Sequence, residues 1–275
     1  MDTSAQDRDL DRKLGRMPFV RDSRDVMMAK YVDSHRILDS AAIPGALSWE
    51  AWPGPNGRLP ARDTDALGNN IAGNCVLVGP GHMVRMVGAL TGRSFNVTAD
   101  TAIAEYTALT GYNPATGEDD NGATIRTMLK RWKSVGLYGT KIKAFARVNP
   151  NNIDEVIAAS WLGCGLIGGF ELPISAQGQM DAKGRQLWSV PSGGFPPAKG
   201  PGTWGGHCIW VHTASPKLFG GNSWGEPTFW DFPWQQECCP ELWVGILEEW
   251  ALRNGRCPNG FAYQDLLADV LARSA

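Results

Sequence analysis

Six cysteines and four histidines stand among 275 residues, and few of them sit where a thiol could be made to react. Cys75 ends the turn-forming stretch LGNNIAGNC and opens a largely apolar segment running to about Leu90. A cysteine at a helix N-terminus has its thiolate favoured by the helix dipole and by unpaired N–H groups. A facing histidine would give a thiolate–imidazolium pair, with the thiol pKa lowered to roughly 3.5–7.5. Thiol catalysis then needs one more group, to orient the base. A buried structural cysteine is the competing reading of Cys75.

The bases to choose from are His35 near the N-terminus, His82 in a helical region, and His207 and His212 in one β run. The last two are five positions apart, so they point to opposite faces of a regular strand and at most one faces a given site. His207 follows Gly205-Gly206, and Asn222-Ser223-Trp224-Gly225 begins fifteen residues after it. A metal site built from His207, Cys208, His212 and the Cys238-Cys239 pair is the other use of these residues. Its spacing matches no zinc pattern, and Cys208 should face away from His207.

Cys75, the Gly-Gly-His at 205–207 and the Asn-Ser-Trp-Gly at 222–225 resemble, in that order, the catalytic segments of the papain-like cysteine peptidases. DNGATIRTMLKRWKSVGL and NNIDEVIAASWLGCGLIGGFEL agree with the connecting segments, so the likeness covers about residues 65–250. LGNN…GNC, GYNPATGEDDNGA and GGHC are also similar to papain-like proteins of phages and prophages. The resemblance implies Cys75 as nucleophile and His207 as the base that later protonates the leaving group. It implies that Asn222 fixes the imidazole tautomer and that Trp224 shields that contact from solvent. The oxyanion would be received by the Cys75 N–H and by a side-chain amide at Asn69, or at Asn70 instead. The glycines beside His207 would admit a substrate backbone, and the turn at Ser215-Pro216-Lys217 would return Asn222 to the imidazole.

The sequence departs from the family pattern in four places. Asn69 stands where Gln is usual, Val76 where Trp is usual, and Ala72 where a disulfide cysteine is common. Gly79-Pro80-Gly81 interrupts the expected nucleophile helix, and an interior proline costs about 3 kcal/mol. The helix is therefore expected to kink there or to begin later.

The elements that must position these groups follow from periodicity. Residues 1–40 read as a charged N-terminal arm with a short helix in DVMMAKYVDSHRIL, and residues 41–275 as one papain-like domain. From about 65 to 163 the signals are helical. ATIRTMLKRWKSVG puts Ile125, Met128, Leu129, Trp132 and Val135 on one face, and NPNNIDEVIAASWLG carries a cap at Asn151 or Asn152. TKIKAFARV alternates as a strand between them. From about 164 to 250, CGLIGGFEL, QLWSV, HCIWVHT, TFWDF and ELWVGILEEW are short β runs, and 260–273 is a terminal helix. Helices first and strands second define an α+β fold of two unlike lobes.

Composition bounds the partners. A formal charge of −2 gives no reason to expect nucleic acid or an anionic membrane. No secretory h-region and no spanning apolar run are present, and the cysteine spacing is no disulfide framework. A cytoplasmic protein is expected, or a component of a virus particle, with a peptide or protein substrate, no cofactor and no metal. The arm could contact a protein partner, block the cleft as a pro-segment, or trail as a solvated tail. The twelve tryptophans read as core packing or as an aromatic surface for peptide or glycan. Two rivals to an active peptidase stand beside it: a papain-fold structural or binding protein without activity, and a peptidoglycan amidase or endopeptidase.

Overall fold

The computed structural model describes residues 12–29, 43–54 and 57–251. His35, the outer parts of the arm and the helix expected at 260–273 lie outside the described residues. The fold is mixed α+β. Helix α1 (Cys75–Thr91) starts at Cys75 and runs unbroken through Pro80, so the later start expected as one option does not occur. Both flanking glycines have a packing reason. A Cβ on Gly79 would lie 3.3 Å from the Trp210 backbone nitrogen, and one on Gly81 would lie 2.9 Å from Leu67. Beside Pro80, which brings no N–H to the helix, Tyr138 Oη donates to the Leu77 carbonyl at 2.8 Å.

Helix α2 (Ala99–Thr110) opens on a reciprocal Thr98–Thr101 cap and closes on Gly111 in the left-handed region. Helix α3 (Ile125–Ser134) buries Ile125, Met128, Leu129 and Trp132 as the periodicity requires. Val135, expected on the same face, is 61 % exposed because the helix ends one residue before it. Helix α4 (Ile153–Gly163) is capped by Asn152, whose side chain accepts from the Glu155 N–H.

Among the described residues eight strands form one sheet: β1 (Leu47–Ser48), β2 (Ile142–Val148), β3 (Leu166–Leu172), β4 (Gln186–Trp188), β5 (Gly205–Ala214), β6 (Phe219–Ser223), β7 (Glu226–Trp230) and β8 (Glu241–Leu247). Their order is β2-β8-β3-β5-β6-β7-β4, with β1 on the end of β5, and only β4–β7 is parallel. Strand β2 comes from the helical half of the sequence yet pairs with β8. Two short helices replace expected strand ends: α5 (Phe232–Cys238), capped by Asp231, and α6 (Glu248–Ala251). Trp49, Trp132, Trp188, Trp210, Trp230, Trp234, Trp243 and Trp250 are fully buried, which makes them core rather than binding surface.

The described part of the arm is not a solvated tail. Arg16 and Met28 are buried, and Met28 N–H donates to the Arg147 carbonyl at 2.7 Å while Arg147 N–H donates to Val26 at 2.7 Å. Helix α1 abuts β5 through Gly79, so Gly79→Val should lower the urea-unfolding free energy by about 1–3 kcal/mol. An unchanged midpoint would show that the seam tolerates side-chain volume.

Candidate active site

The turn before α1 is shaped by its side chains. Leu67 and Gly68 take positive φ of 49° and 82°, and Asn74 Nδ2 ties back to the Leu67 carbonyl at 3.0 Å. The Gly73 N–H donates to both Asp120 carboxylate oxygens at 2.9 and 3.1 Å, while Tyr106 Oη donates to the same group at 2.8 Å. This leaves Cys75 as the first helical residue, fully buried against β5, where the helix N-terminus can favour its thiolate.

His207 lies on β5, 1 % exposed. Trp224 stacks on its ring at 4.1 Å and 10°, and Trp204 stacks on Trp224 at 5.3 Å. Imidazole Nε2 meets Ser223 Oγ at 2.8 Å, and Nδ1 is buried without a partner. No hydrogen bond joins His207 to Cys75.

The contact implied between Asn222 and the imidazole is absent, and strand register explains why. Asn222 is the partner of Trp210, and cross-strand partners share a face. His207 is three residues from Trp210 and so faces the other way, with Ser223. Asn222 Nδ2 donates to the Asp63 carbonyl, and its Oδ1 accepts from the Gly225 N–H at 3.1 Å. It lines a separate cavity of ≈360 Å³ with His82 and His212. There His82 Nδ1 meets Asp63 at 2.7 Å and His212 Nε2 lies 3.7 Å from Glu50. The Asn-Ser-Trp-Gly segment points to Asn222 rather than Ser223; strand alternation shows that only one of the two can face His207, and the pairing register decides which.

Asn69, not Asn70, points inward: Asn69 is 1 % exposed and Asn70 lies at the surface. Asn69 Nδ2 donates to the Ala72 carbonyl at 3.0 Å and to the Lys13 carbonyl at 3.2 Å. That second bond belongs to a strap, residues 12–17, which crosses the site. Ala123 N–H donates to the Gly15 carbonyl at 2.9 Å, and Met17 N–H donates to the Ala123 carbonyl at 2.9 Å. On the opposite wall Arg16 N–H donates to the Gly206 carbonyl at 3.1 Å. Trp224 Nε1 donates to Lys13 at 3.0 Å, and Arg12 meets Glu226 at 3.0 Å. A Cβ on Gly206 or Gly122 would overlap the strap backbone, and one on Gly205 would lie 2.8 Å from Leu14. The space beside His207 expected for a substrate is filled by the chain itself.

Burial sets the charges. It pushes the Cys75 thiol up to about 11, against a smaller opposing pull from the backbone of Cys208 and Gly15. It pushes the His207 imidazole down to about 3, with Arg12 and Arg16 adding to the shift. Burial therefore favours a neutral thiol and a neutral imidazole over the expected thiolate–imidazolium pair, because both groups are shielded from solvent. Among the described residues no group of three or more His, Cys, Asp or Glu is placed to hold a metal, and Cys75, Cys164, Cys208, Cys238 and Cys239 are free thiols. No described helix is long and apolar enough to cross a membrane.

No protein-family model matches the chain, and no curated protein matches it. Solved structures do. Digestive procathepsin L 3 of the larval midgut of Tenebrio molitor is 10 % identical with TM-score 0.48, over 89 % of this chain and 80 % of that one. The proform of the ragweed pollen allergen Amb a 11, a cysteine protease, is 11 % identical with TM-score 0.47, over 81 % and 75 %. A structure from work on the mite allergens Blo t 1 and Der p 1 is 8 % identical with TM-score 0.47, over 83 % and 84 %.

A histidine buried neutral stabilises the fold above its unfolded pKa and loses that contribution as pH falls toward its folded one. For His207 the window runs from about pH 6.5 down to about 3, and the loss is roughly 2 kcal/mol at about pH 5. Urea midpoints should therefore fall across that range, and His207→Gln should flatten the fall; an equal slope in both chains would contradict a neutral buried imidazole. The thiol acts at the other end, its contribution being lost as pH rises from about 9 to about 11.

Proposed function

We propose that the chain is a thiol hydrolase of peptide or amide bonds, with Cys75 as nucleophile and His207 as base, closed by its own residues 12–17. The strap carries this reading. An extended peptide is gripped by main-chain hydrogen bonds on two walls, at Ala123 and at Gly206, beside a helix-terminal thiol and an imidazole. A groove that holds one backbone this way can hold another. The resemblance of Cys75, Gly205-Gly206-His207 and Asn222-Ser223-Trp224-Gly225 to papain-like peptidases points to the same chemistry.

With the strap gone, water and substrate enter. The thiol proton passes to the unpartnered Nδ1 of His207, and the thiolate adds to the carbonyl carbon. The oxyanion is received by the Cys75 N–H and by Asn69 Nδ2, freed from Lys13. The imidazolium protonates the leaving amine, and His207 then takes a proton from the water that hydrolyses the acyl-enzyme. Ser223 holds Nε2 and fixes the ring, in the place foreseen for Asn222, while Trp224 covers it.

The turn of Asn222 away from His207 favours a second reading, a papain-fold binding or structural protein whose groove is permanently filled. Support for glycan as substrate weakens, since most of the tryptophans are core. A place in a phage or its particle is supported by the texture of LGNN…GNC, GYNPATGEDDNGA and GGHC.

Gly15→Val tests the hydrolase reading, because a side chain there would overlap the Gly73 backbone and unseat the strap. Alkylation of Cys75 by iodoacetamide at about pH 6 should speed up by about tenfold or more, with peptide cleavage appearing alongside. His207→Ala in the same background should remove both gains. Alkylation no faster than a free thiol in the opened chain would favour the second reading.

A further inference from the structure

Arg16 enters a built pocket. Its side chain is 1 % exposed, although the strap around it lies along the protein surface. Nη1 donates to Glu241 Oε1 at 3.0 Å, Nε donates to the Phe170 carbonyl at 3.3 Å, and Glu171 stands 3.8 Å from Nη2. Glu241 is 2 % exposed, and Trp243 Nε1 donates to its other oxygen at 2.9 Å. Gly169 forms the pocket floor: a Cβ there would lie 2.6 Å from the Glu241 side chain and 2.8 Å from Arg16 Cδ.

Two features separate this pocket from a clasp that merely ties the strap down. The strap is already held by main-chain bonds, and a buried ion pair adds little stability over apolar groups of the same volume. Trp243 also holds the second oxygen of the acid independently of Arg16, so the carboxylate keeps one fixed partner whichever chain supplies the cation. The acceptors suit a guanidinium. Glu241 and the Phe170 carbonyl take two nitrogens of one planar group, and a single ammonium offers no such pair.

We propose that this pocket selects an arginine side chain of the substrate, with Glu241 as the specificity-determining residue. The inference rests on the reading of the strap groove as a peptide-binding cleft. Arg16 N–H donates to the Gly206 carbonyl at 3.1 Å, which places Arg16 beside the residue that precedes His207. A bound substrate would set its arginine at the same depth, beside Ala123 and Gly206, once the strap leaves. Left empty, the pocket exposes a desolvated carboxylate, so an arginine is drawn in and citrulline, the neutral isostere, is refused.

The test uses full-length chains. Acetyl-Arg-Lys-Leu-Gly-Xaa-Met-amide peptides, with Xaa arginine, citrulline, lysine or norleucine, are titrated into Gly15→Val and Gly15→Val/Glu241→Gln at about pH 7. The arginine peptide should bind about tenfold or more tighter than the citrulline and lysine peptides, and Glu241→Gln should bring arginine and citrulline together. Equal binding of arginine and citrulline in the Glu241 chain, or a preference that persists in Glu241→Gln, overturns the proposal. A second measurement does not depend on opening the strap: N-propylguanidinium should raise the melting temperature of Arg16→Ala more than propylammonium does, and an equal effect overturns it. Arginine-selective binding without His207-dependent cleavage keeps the pocket and removes the hydrolase. Cleavage with no arginine preference keeps the hydrolase and removes the pocket.

Discussion

The backbone pairing of residues 15–17 with Ala123 on one wall and Gly206 on the other decides the state of everything around it. It removes water from Cys75 and His207, and desolvation then neutralises both. It occupies Asn69 Nδ2 through Lys13 and sets Arg12 5.0 Å over Trp224, which in turn covers His207. Glycine composition makes the approach possible, since Gly122 and Gly206 each stand where a side chain would overlap the strap. The protein is thus described in a closed form whose parts are complementary to an extended peptide.

Several anchors along the strap would have to be lost together for it to leave. Arg12–Glu226 is only half-shielded and is worth little by itself. Arg16–Glu241 is buried on both sides, so withdrawing the guanidinium leaves an uncompensated carboxylate unless another cation replaces it. Farther along, Asp22 and Asp25 hold Arg126, and Val26 and Met28 pair with Arg147. Under the proposed reading, a substrate that brings its own arginine would offset the largest of these losses and so couple recognition to opening.

Much of this was legible in the sequence. The α+β order, the start of α1 at Cys75, the faces of α3 and the β run holding His207 follow from periodicity and turn residues. Strand alternation lets only one of His207 and His212 face a given site, the resemblance picks His207, and the structure places His212 in a different cavity. What stayed hidden depends on register and on distant contacts. A motif read as text pointed to Asn222, while the pairing of Trp210 with Asn222 hands the imidazole to Ser223. The charged string before residue 25 gave no sign that Arg16 would be buried, because its partner Glu241 lies 225 positions away. Pro80 read as a helix breaker because nothing local shows how tightly α1 is packed around it.

The imidazole of His207 reports most directly on the central claim, that the strap holds a competent thiol–imidazole pair in a neutral state. Its titration, followed by NMR of ring-labelled histidine, should show no protonation between about pH 8 and pH 5 in the intact chain. In Gly15→Val the same ring should titrate, with its midpoint moved upward by a thiolate at Cys75 and moved back in Cys75→Ala. A His207 that titrates identically in the closed and opened chains, or that ignores Cys75 in both, would contradict the account.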